Sequence, residues 1–121
     1  MTAENSDIAS VLRYYEVVDA DDVPALIDLF APDAVYYRPG YPPMRGHADL
    51  RRFYVDERVI AEGHHSIASA VADGNRVATH GEFAGTLKDG QKVELRFADF
   101  FELGPDGRFA RRDTFFFSPA V

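Results

Sequence analysis

The segment VELRFADFFEL, residues 93–103, organises the interpretation of the whole chain. Read as a strand, it directs alternate side chains to two faces. One face is apolar except for a single carboxylate, Asp99, which lies between Phe97 and Phe101. A carboxylate among aromatic rings is costly to bury unless it is paired or protonated. We therefore expect Asp99 to have polar partners or a function, and Phe97 and Phe101 to line the same space.

Two tight turns predict the neighbours of this strand. The Asp-Gly of residues 88–91 is the preferred two-residue hairpin connection, and it places His80 opposite Asp99. The Gly-Pro-Asp-Gly turn at 104–107, centred on its Pro-Asp pair, places Arg112 opposite Asp99 on the following strand. The sequence thus predicts a row of His80, Asp99 and Arg112. A one-residue slip in either turn would move side chains to the opposite face.

Length, charge and composition restrict the class of protein. A chain of 121 residues is the size of one domain, so we expect a single domain over 1–121. Its net charge of −7 argues against nucleic acid or an anionic membrane as the main partner. There is no cysteine, no apolar run near the ~20 residues of a membrane span, and no signal-peptide pattern at the start. We expect a cytoplasmic protein.

Hydrophobic periodicity predicts three helices followed by a run of strands. The helices are expected at about 8–19, directly after 21–22, and at about 47–61; the strands at 34–38, 64–72, 76–87, 91–103 and 108–117. This order is typical of an α+β fold in which three N-terminal helices pack on one face of a curved, mainly antiparallel sheet and enclose a pocket. The proline-rich segment 38–46 is expected at the mouth of that pocket.

The polar row suggests acid–base chemistry. Because Arg112 would lie within hydrogen-bonding range, we expect Asp99 to be ionised and to orient His80 for proton transfer. Glu82 lies two residues beyond His80 on the same predicted face and adds a second proton-transfer group. In an alternative interpretation, the row is only a satisfied polar ladder within the sheet.

Other side chains are expected at the pocket, Tyr14 as a further catalytic group for proton transfer or hydrogen bonding, and Tyr54 and Arg38 as ligand contacts. Tyr14 lies at the edge of the apolar stripe of the first helix, Tyr54 is on the buried side of the third, and Arg38 begins the proline-rich segment. The adjacent His64 and His65 are not expected to chelate a metal together, because neighbouring strand residues point to opposite faces. We expect neither a metal nor a cofactor.

The outer face of the predicted sheet is also rich in aromatic residues, which would not face water in a monomer. We therefore expect a homodimer through this face. The aromatic residues assigned to it are Phe83, Phe100, Phe109, Phe115 and Phe117.

Four segments carry a family resemblance: RYYEVVDADD at 13–22, LIDLFAPDAVYY at 26–37, GHADLRRFY at 46–54 and FADFFELGPDGRF at 97–109. Together they resemble the nuclear transport factor 2-like superfamily, which includes ketosteroid isomerase, SnoaL-like cyclases, scytalone dehydratase and limonene epoxide hydrolase. The resemblance implies the cone-shaped α+β fold. It leaves the function open, because this fold hosts several chemistries as well as non-catalytic proteins.

Two members of the superfamily supply candidate residue roles. Resemblance to ketosteroid isomerase implies that Tyr14 and Asp99 match the two donors of its oxyanion hole, whereas its catalytic base falls on Arg38, which cannot accept a proton. Resemblance to limonene epoxide hydrolase implies that Tyr36 positions a water molecule. Its Arg-x-Asp pair falls on 80–82 and its second aspartate on or next to Asp113.

Three functions follow from the sequence. The first is a cofactor-free acid–base enzyme that acts as an isomerase, cyclase or dehydratase on a small, mostly apolar molecule. The second is an epoxide hydrolase in which Glu82 or Asp99 activates water. The third is a non-catalytic module that binds a small molecule in the same cavity.

Overall fold

The computed structural model describes residues 3–117. It contains three α-helices, a π-helical turn and six strands. In chain order these are α1 (Ala3–Asp19), α2 (Val23–Asp28), β1 (Phe30–Tyr37), β2 (Met44–Arg45), α3 (Gly46–Arg52), the π-helical turn (Phe53–Glu57), β3 (Ile60–Asp73), β4 (Arg76–Leu87), β5 (Lys92–Leu103) and β6 (Phe109–Phe116). The expected α+β class, with helices preceding a long run of strands, is confirmed.

The six strands form one mixed, open sheet in the order β2-β1-β6-β5-β4-β3. Strands β3 to β6 are joined by short hairpins and pair antiparallel, whereas β1 pairs with β6 in parallel. Helix α1 contacts β3 and β4, and α3 contacts β1. The sheet therefore has one face toward the helices, here called the inner face, and one free of them in the described residues, the outer face.

The register between β4 and β5 differs by one residue from the predicted one. Thr79 lies opposite Asp99, and His80 lies opposite Ala98. The reason is the turn: the loop has three residues, 88–90, closed by a hydrogen bond from the Leu87 N–H to the Gln91 carbonyl, with Gly90 at φ 88°. A three-residue loop ending in a left-handed glycine adds one residue to the predicted connection and reverses the faces of β4.

The register between β5 and β6 differs by two residues, so the faces are retained. Asp99 lies opposite Thr114, and Arg112 lies opposite Phe101. One residue of the shift comes from a three-residue turn, in which the Gly104 N–H bonds to the Arg108 carbonyl. The other comes from an irregularity in the pairing near Leu103. Arg112 therefore remains on the same face as Asp99, as predicted.

The third helix is shorter than expected. α3 ends at Arg52, the π-helical turn ends at Glu57, and Arg58 already has extended backbone angles (φ −62°, ψ 126°). Strand β3 begins at Ile60, four residues before the predicted start, and Val59 accepts a hydrogen bond from the Lys88 N–H. The β-branched pair Val59-Ile60 favours this extended conformation.

The two register changes also correct the assignment of the aromatic residues. Phe83 and Phe109, predicted on the outer face, are buried in the core. Phe83 moved with the one-residue shift of β4, and Phe109 lies beyond the irregularity in β6. Phe100, Phe115 and Phe117 are exposed. Within residues 3–117, no helix combines the length and apolar character needed to cross a membrane.

Candidate active site

A fully buried polar cluster surrounds Asp99, which is 0% exposed. The Arg112 guanidinium donates to both of its oxygens, from Nε to Oδ1 at 3.2 Å and from Nη2 to Oδ2 at 2.9 Å. The Tyr15 hydroxyl donates to Oδ2 at 2.5 Å, and the Thr114 hydroxyl donates to Oδ1. Four donors thus converge on one carboxylate, and every one of them is suited to its ionised form.

The donors of the remaining hydrogen bonds in this cluster follow from the bonds that Asp99 accepts. Since Tyr15 gives its proton to Asp99, its contact with Thr79 at 2.7 Å must be donated by Thr79. Since Thr114 also gives its proton to Asp99, Tyr36 must donate to Thr114 at 3.1 Å. No substrate atom can reach Asp99 without breaking this shell. Asp99 therefore positions Arg112 and does not itself contact a ligand.

Arg112 links the Asp99 carboxylate to two tyrosine hydroxyls. Its Nη1 donates to the Tyr14 oxygen and, at 3.3 Å, to the Tyr54 oxygen, and the two hydroxyls also bond to each other. One tyrosine proton is used in that mutual bond, so the other has no acceptor among the described residues. Tyr54 is the more exposed of the pair. Both tyrosines line the cleft, and we assign the free proton to the more exposed Tyr54.

Burial keeps the hydroxyls of Tyr14, Tyr15 and Tyr36 protonated. Burial raises the pKa of Tyr14 well above its ordinary value, although the positive charge of Arg112 opposes the rise. Burial and then the charge of Asp99 raise the pKa of Tyr15, and burial raises that of Tyr36 to about 12. For Arg112, burial lowers the pKa, but Asp99 and the oxygens of Tyr14, Tyr36 and Tyr54 together outweigh it, so the pKa of the guanidinium is well above its ordinary value. The cluster therefore presents neutral hydroxyl donors backed by a fixed cation.

A cleft lies on the inner face, beside this cluster. Its empty space, counted out to the solvent at its mouth, is about 460 Å³, but its interior cavity is only about 40 Å³. Ligand pockets are usually roughly 300–1,000 Å³, so a ligand larger than a few water molecules requires side chains at the mouth to move. The lining residues include Tyr14, Tyr36, Arg38, Tyr54, Arg58, His65, Phe97 and Arg112.

His65, which lines the cleft, pairs with Asp19, which does not, and the sequence analysis did not predict this pair. His65 Nδ1 lies 2.6 Å from Asp19 Oδ1, and the His65 backbone N–H donates to Asp19 Oδ2 at 2.9 Å. Nδ1 therefore carries the proton when the ring is neutral, because the carboxylate can only accept. The Nε2 atom bonds to none of the described residues. Every fully buried side-chain nitrogen or oxygen in those residues has a hydrogen-bond partner, so Nε2 is not fully buried. Nε2 is thus accessible from the cleft.

Aromatic rings hold the His65 imidazole in place. Its centroid lies 4.7 Å from that of Phe83, its partner on β4, 5.1 Å from Tyr15 and 5.4 Å from Phe97. Its side chain is only 12% exposed. The neighbouring His64 is 77% exposed on the other side of the strand, as the predicted alternation requires, although its Nδ1 also lies 3.4 Å from Asp19.

The predicted site residues divide into two groups. Most lie together on the inner face: Asp99, Arg112 and Phe101 in the buried layer, and Tyr14, Tyr36, Tyr54, Arg38 and Phe97 along the cleft. His80 and Glu82 are exposed on the outer face, so the predicted contact between His80 and Asp99 is wrong. Asp113 faces outward and pairs with Arg111 at 3.0 Å, so it does not lie in the cleft either.

The sequence analysis missed six residues of the site: Asp19, His65, Tyr15, Thr79, Thr114 and Arg58. A signal existed for the first pair. Asp19 follows Tyr15 by four residues on α1, so both share the face of the helix that contacts the sheet. His65 alternates with Ile67 on β3, which indicates an inward side chain. Linking the helix end to that strand, however, required the tertiary structure.

The family of the chain can be assigned at this point. A model of the SnoaL-like domain matches residues 11–112, which include every residue of the buried cluster up to Arg112 and the Asp19–His65 pair. The chain belongs to the SnoaL-like domain family. The resemblance to the nuclear transport factor 2-like superfamily is thereby confirmed. No curated protein sequence matches this SnoaL-like chain.

Solved structures similar to this SnoaL-like domain share its fold at low identity. The epoxide hydrolase/cyclase-like enzyme SalBIII, described in pyran ring formation in the polyether salinomycin, has a TM-score of 0.85 at 24% identity, with 97% of this chain and 95% of that chain covered. An epoxide hydrolase from Mycobacterium tuberculosis, described as similar to limonene epoxide hydrolase, gives 0.83 at 20% identity, covering 96% and 86%. A Burkholderia pseudomallei protein described as NTF2-like gives 0.83 at 21% identity, covering 97% and 92%.

Proposed function

We propose that this SnoaL-like domain is a cofactor-free acid–base enzyme that moves a proton on a small molecule with a mostly apolar body, as an isomerase, cyclase or dehydratase does. The observation that carries the proposal is the Asp19–His65 pair, whose Nε2 is accessible from the cleft. It takes the place of the His80–Asp99 pair that the sequence predicted.

His65 is the proposed general base. Asp19 fixes the proton on Nδ1, which leaves the lone pair of Nε2 free to accept a proton from a carbon next to a carbonyl group. As the imidazole becomes positively charged, Asp19 stabilises it across 2.6 Å. This is the role of a carboxylate that orients a catalytic histidine. His65 then returns the proton to another atom of the substrate.

The Tyr54 hydroxyl is the proposed donor to the substrate oxygen. A carbonyl that loses an adjacent proton becomes an enolate, whose negative oxygen needs a hydrogen-bond donor. Tyr54 is polarised because its oxygen contacts the charged Arg112, directly at 3.3 Å, and also bonds to Tyr14. Asp99 holds Arg112 in place from behind. The buried cluster thus helps Tyr54 to stabilise the negative charge on the enolate oxygen.

Hydrogen–deuterium exchange tests this function without knowledge of the natural substrate. The native protein is incubated in D₂O with a panel of tetralones, cyclohexenones and their carboxylated analogues, and loss of the α-proton signal is followed by NMR. We expect exchange with at least one compound and a rate reduced roughly 10²–10⁴-fold in His65→Gln. His80→Gln, a change of the same type on the outer face, should leave the rate unchanged.

Two results would contradict the proposal. One is exchange that persists in His65→Gln, which would place the base elsewhere. The other is no exchange with any compound while the same compounds bind the cleft, which would instead indicate a non-catalytic binding module.

Epoxide opening is a further candidate, favoured by the two similar structures described as epoxide hydrolase or epoxide hydrolase/cyclase-like. In this chain it would use different residues from those predicted, because Glu82 is exposed on the outer face and Asp99 is enclosed by four donors. His65 would activate water and Tyr54 would protonate the epoxide oxygen. Diol formation from limonene oxide or styrene oxide, lost in His65→Gln, is the expected result, and its absence counts against this reaction.

We also propose that the chain forms a homodimer through the outer face. Three exposed aromatic residues lie there, and the rings of Phe100 and Phe115 contact each other at 5.7 Å. They flank a shallow concavity of about 490 Å³ that also contains Val71, which is 59% exposed. Arg111 and Asp113 border the patch with charges of both signs, which a two-fold axis could pair. Sedimentation velocity should show a species of twice the chain's mass.

A further inference from the structure

The mouth of the cleft carries positive charge that nothing nearby in the described residues neutralises. Arg38 and Arg58 both line it and are half-buried. Within residues 4–117 neither forms an ion pair, although carboxylates in this part of the chain pair with Arg52, Arg111 and Arg112. No aspartate or glutamate is among the residues that line the cleft. This is notable in a chain whose net charge is −7.

Aromatic rings hold these guanidinium groups at the mouth. The Arg38 guanidinium carbon lies 5.1 Å from the centroid of the Phe116 ring, 5.4 Å from that of Phe53 and 5.6 Å from that of Tyr41. The Arg58 carbon lies 5.9 Å from the centroid of the Tyr54 ring. Ring faces attract a cation but leave its N–H donors unsatisfied. Both arginines therefore retain donors for an additional partner.

From this arrangement we infer that the cleft selects an acidic ligand, namely a carboxylate or an ionised enol carried on an apolar, aromatic-sized body. The inference rests on the proposed function in one respect, since it names the substrate class of the same cleft. A planar guanidinium binds a carboxylate through two parallel hydrogen bonds. The apolar body would lie among Phe97, Phe116 and His65 of the cleft wall, after the movement of side chains at the mouth that the small interior requires. Asp99 and two tyrosines occupy four of the five N–H donors of Arg112, so the ligand contacts are assigned to Arg38 and Arg58.

A pair of ligands that differ only in charge tests the inference. Binding of 2-naphthoate and of its neutral methyl ester to the native protein is measured by NMR titration at low salt. We expect the acid to bind roughly 10- to 100-fold more tightly, as a charge-assisted hydrogen bond allows. Arg38→Gln and Arg58→Gln should each reduce this preference. Arg51→Gln, which removes the same charge from an exposed position of α3 outside the cleft, should retain it.

The outcomes separate this inference from the proposed enzyme function. Equal affinity for acid and ester, no binding of the acid, or a preference that survives both cleft variants would overturn the inference, and the first two need only the native protein. The titration is repeated in His65→Gln, which retains both arginines. A preserved preference there, together with a native protein that exchanges no α-protons, would contradict the enzyme and leave the acidic ligand class intact.

Discussion

At the scale of single residues, Asp99 is the group on which the inner face depends. It is 0% exposed and balances the charge of Arg112 through two hydrogen bonds. Replacing it with asparagine would leave a buried guanidinium without its counter-charge. We expect Asp99→Asn to lower the free energy of unfolding by about 3–5 kcal/mol. Urea unfolding followed by circular dichroism measures the change.

Asp113 provides the matched comparison for that substitution. It also pairs with an arginine, Arg111 at 3.0 Å, but at a half-exposed position where the arginine can be solvated. Asp113→Asn should therefore cost less than about 1 kcal/mol. Similar losses in the two variants would mean that burial of the Asp99 pair has no special importance for stability.

The raised pKa of Tyr36 leads us to expect that the free energy of unfolding falls at high pH. Burial raises its pKa from the ordinary value of 10.0 to about 12 in the folded protein. Between these values the unfolded chain loses the phenol proton while the folded chain keeps it, so the unfolding free energy falls as the pH rises. This group contributes its full stabilisation below pH 10 and loses it, about 3 kcal/mol at most, by pH 12.

Urea midpoints measured from pH 9 to pH 12 test that prediction. The native protein should lose stability steadily above pH 10, and Tyr36→Phe should show a shallower decline because one titrating group is removed. Tyr37→Phe, on the neighbouring side chain that points to the other side of β1, is the control. Identical slopes for native protein and Tyr36→Phe would show that this hydroxyl does not ionise differently in the folded and unfolded states.

At the scale of elements, the loop between β4 and β5 decides which side chains enter the cleft. Its third residue, Gly90, has φ 88°, a left-handed conformation that costs an L-residue about 1–2 kcal/mol. Gly90→Ala should lower the free energy of unfolding by that amount. Gly104→Ala is the control, since Gly104 has no positive φ and an added Cβ would make only ordinary contacts, with the Asp106 side chain at 3.4 Å and the Arg108 carbonyl oxygen at 3.8 Å. Equal effects would argue against the three-residue loop.

The same loop shows how far the sequence could predict the site. The α+β class, the family and the inward side of β5 all followed from apolar alternation and from motifs of several residues, which single-residue shifts do not alter. The face of β4 depended on whether the Asp-Gly turn had two or three loop residues, and both are common. The resulting one-residue shift moved His80 outward and Phe83 inward.

Contacts between elements far apart in the sequence could not be predicted from apolar alternation and turn length. The Asp19–His65 pair joins residues 46 positions apart, and neither side chain is unusual within its own segment. By contrast, Arg112 remained on the correct face because the turn after β5 and the irregularity in β6 each added one residue, and the two changes cancelled. Its predicted pairing with Asp99 is confirmed, although neither the length of the turn nor the irregularity in β6 was predicted.

At the scale of the whole molecule, charge is distributed unevenly. The chain carries −7 overall, yet its cleft is lined by three arginines and no described carboxylate. The negative surface would slow the approach of an anion from a distance, whereas the arginines at the mouth would hold it once it arrives. Added salt screens both effects, but the exposed surface more than the half-buried contact. The cleft can therefore be specific for an acid even though the surface of the molecule does not attract anions from a distance.

The outer face supplies the last prediction, because dimer formation and folding can be separated there. Phe115 is 55% exposed, so a charge at this position should not disturb a folded monomer. In the proposed dimer, however, Phe115→Glu would bury two unpaired carboxylates near the two-fold axis, which we expect to cost at least about 2 kcal/mol of association free energy. Sedimentation velocity should show the variant as a monomer at concentrations where the native chain is dimeric. Leu12→Glu, which changes an exposed apolar residue of α1 in the same way, should remain dimeric. A native chain that stays monomeric at high concentration would exclude the outer face as a self-association surface.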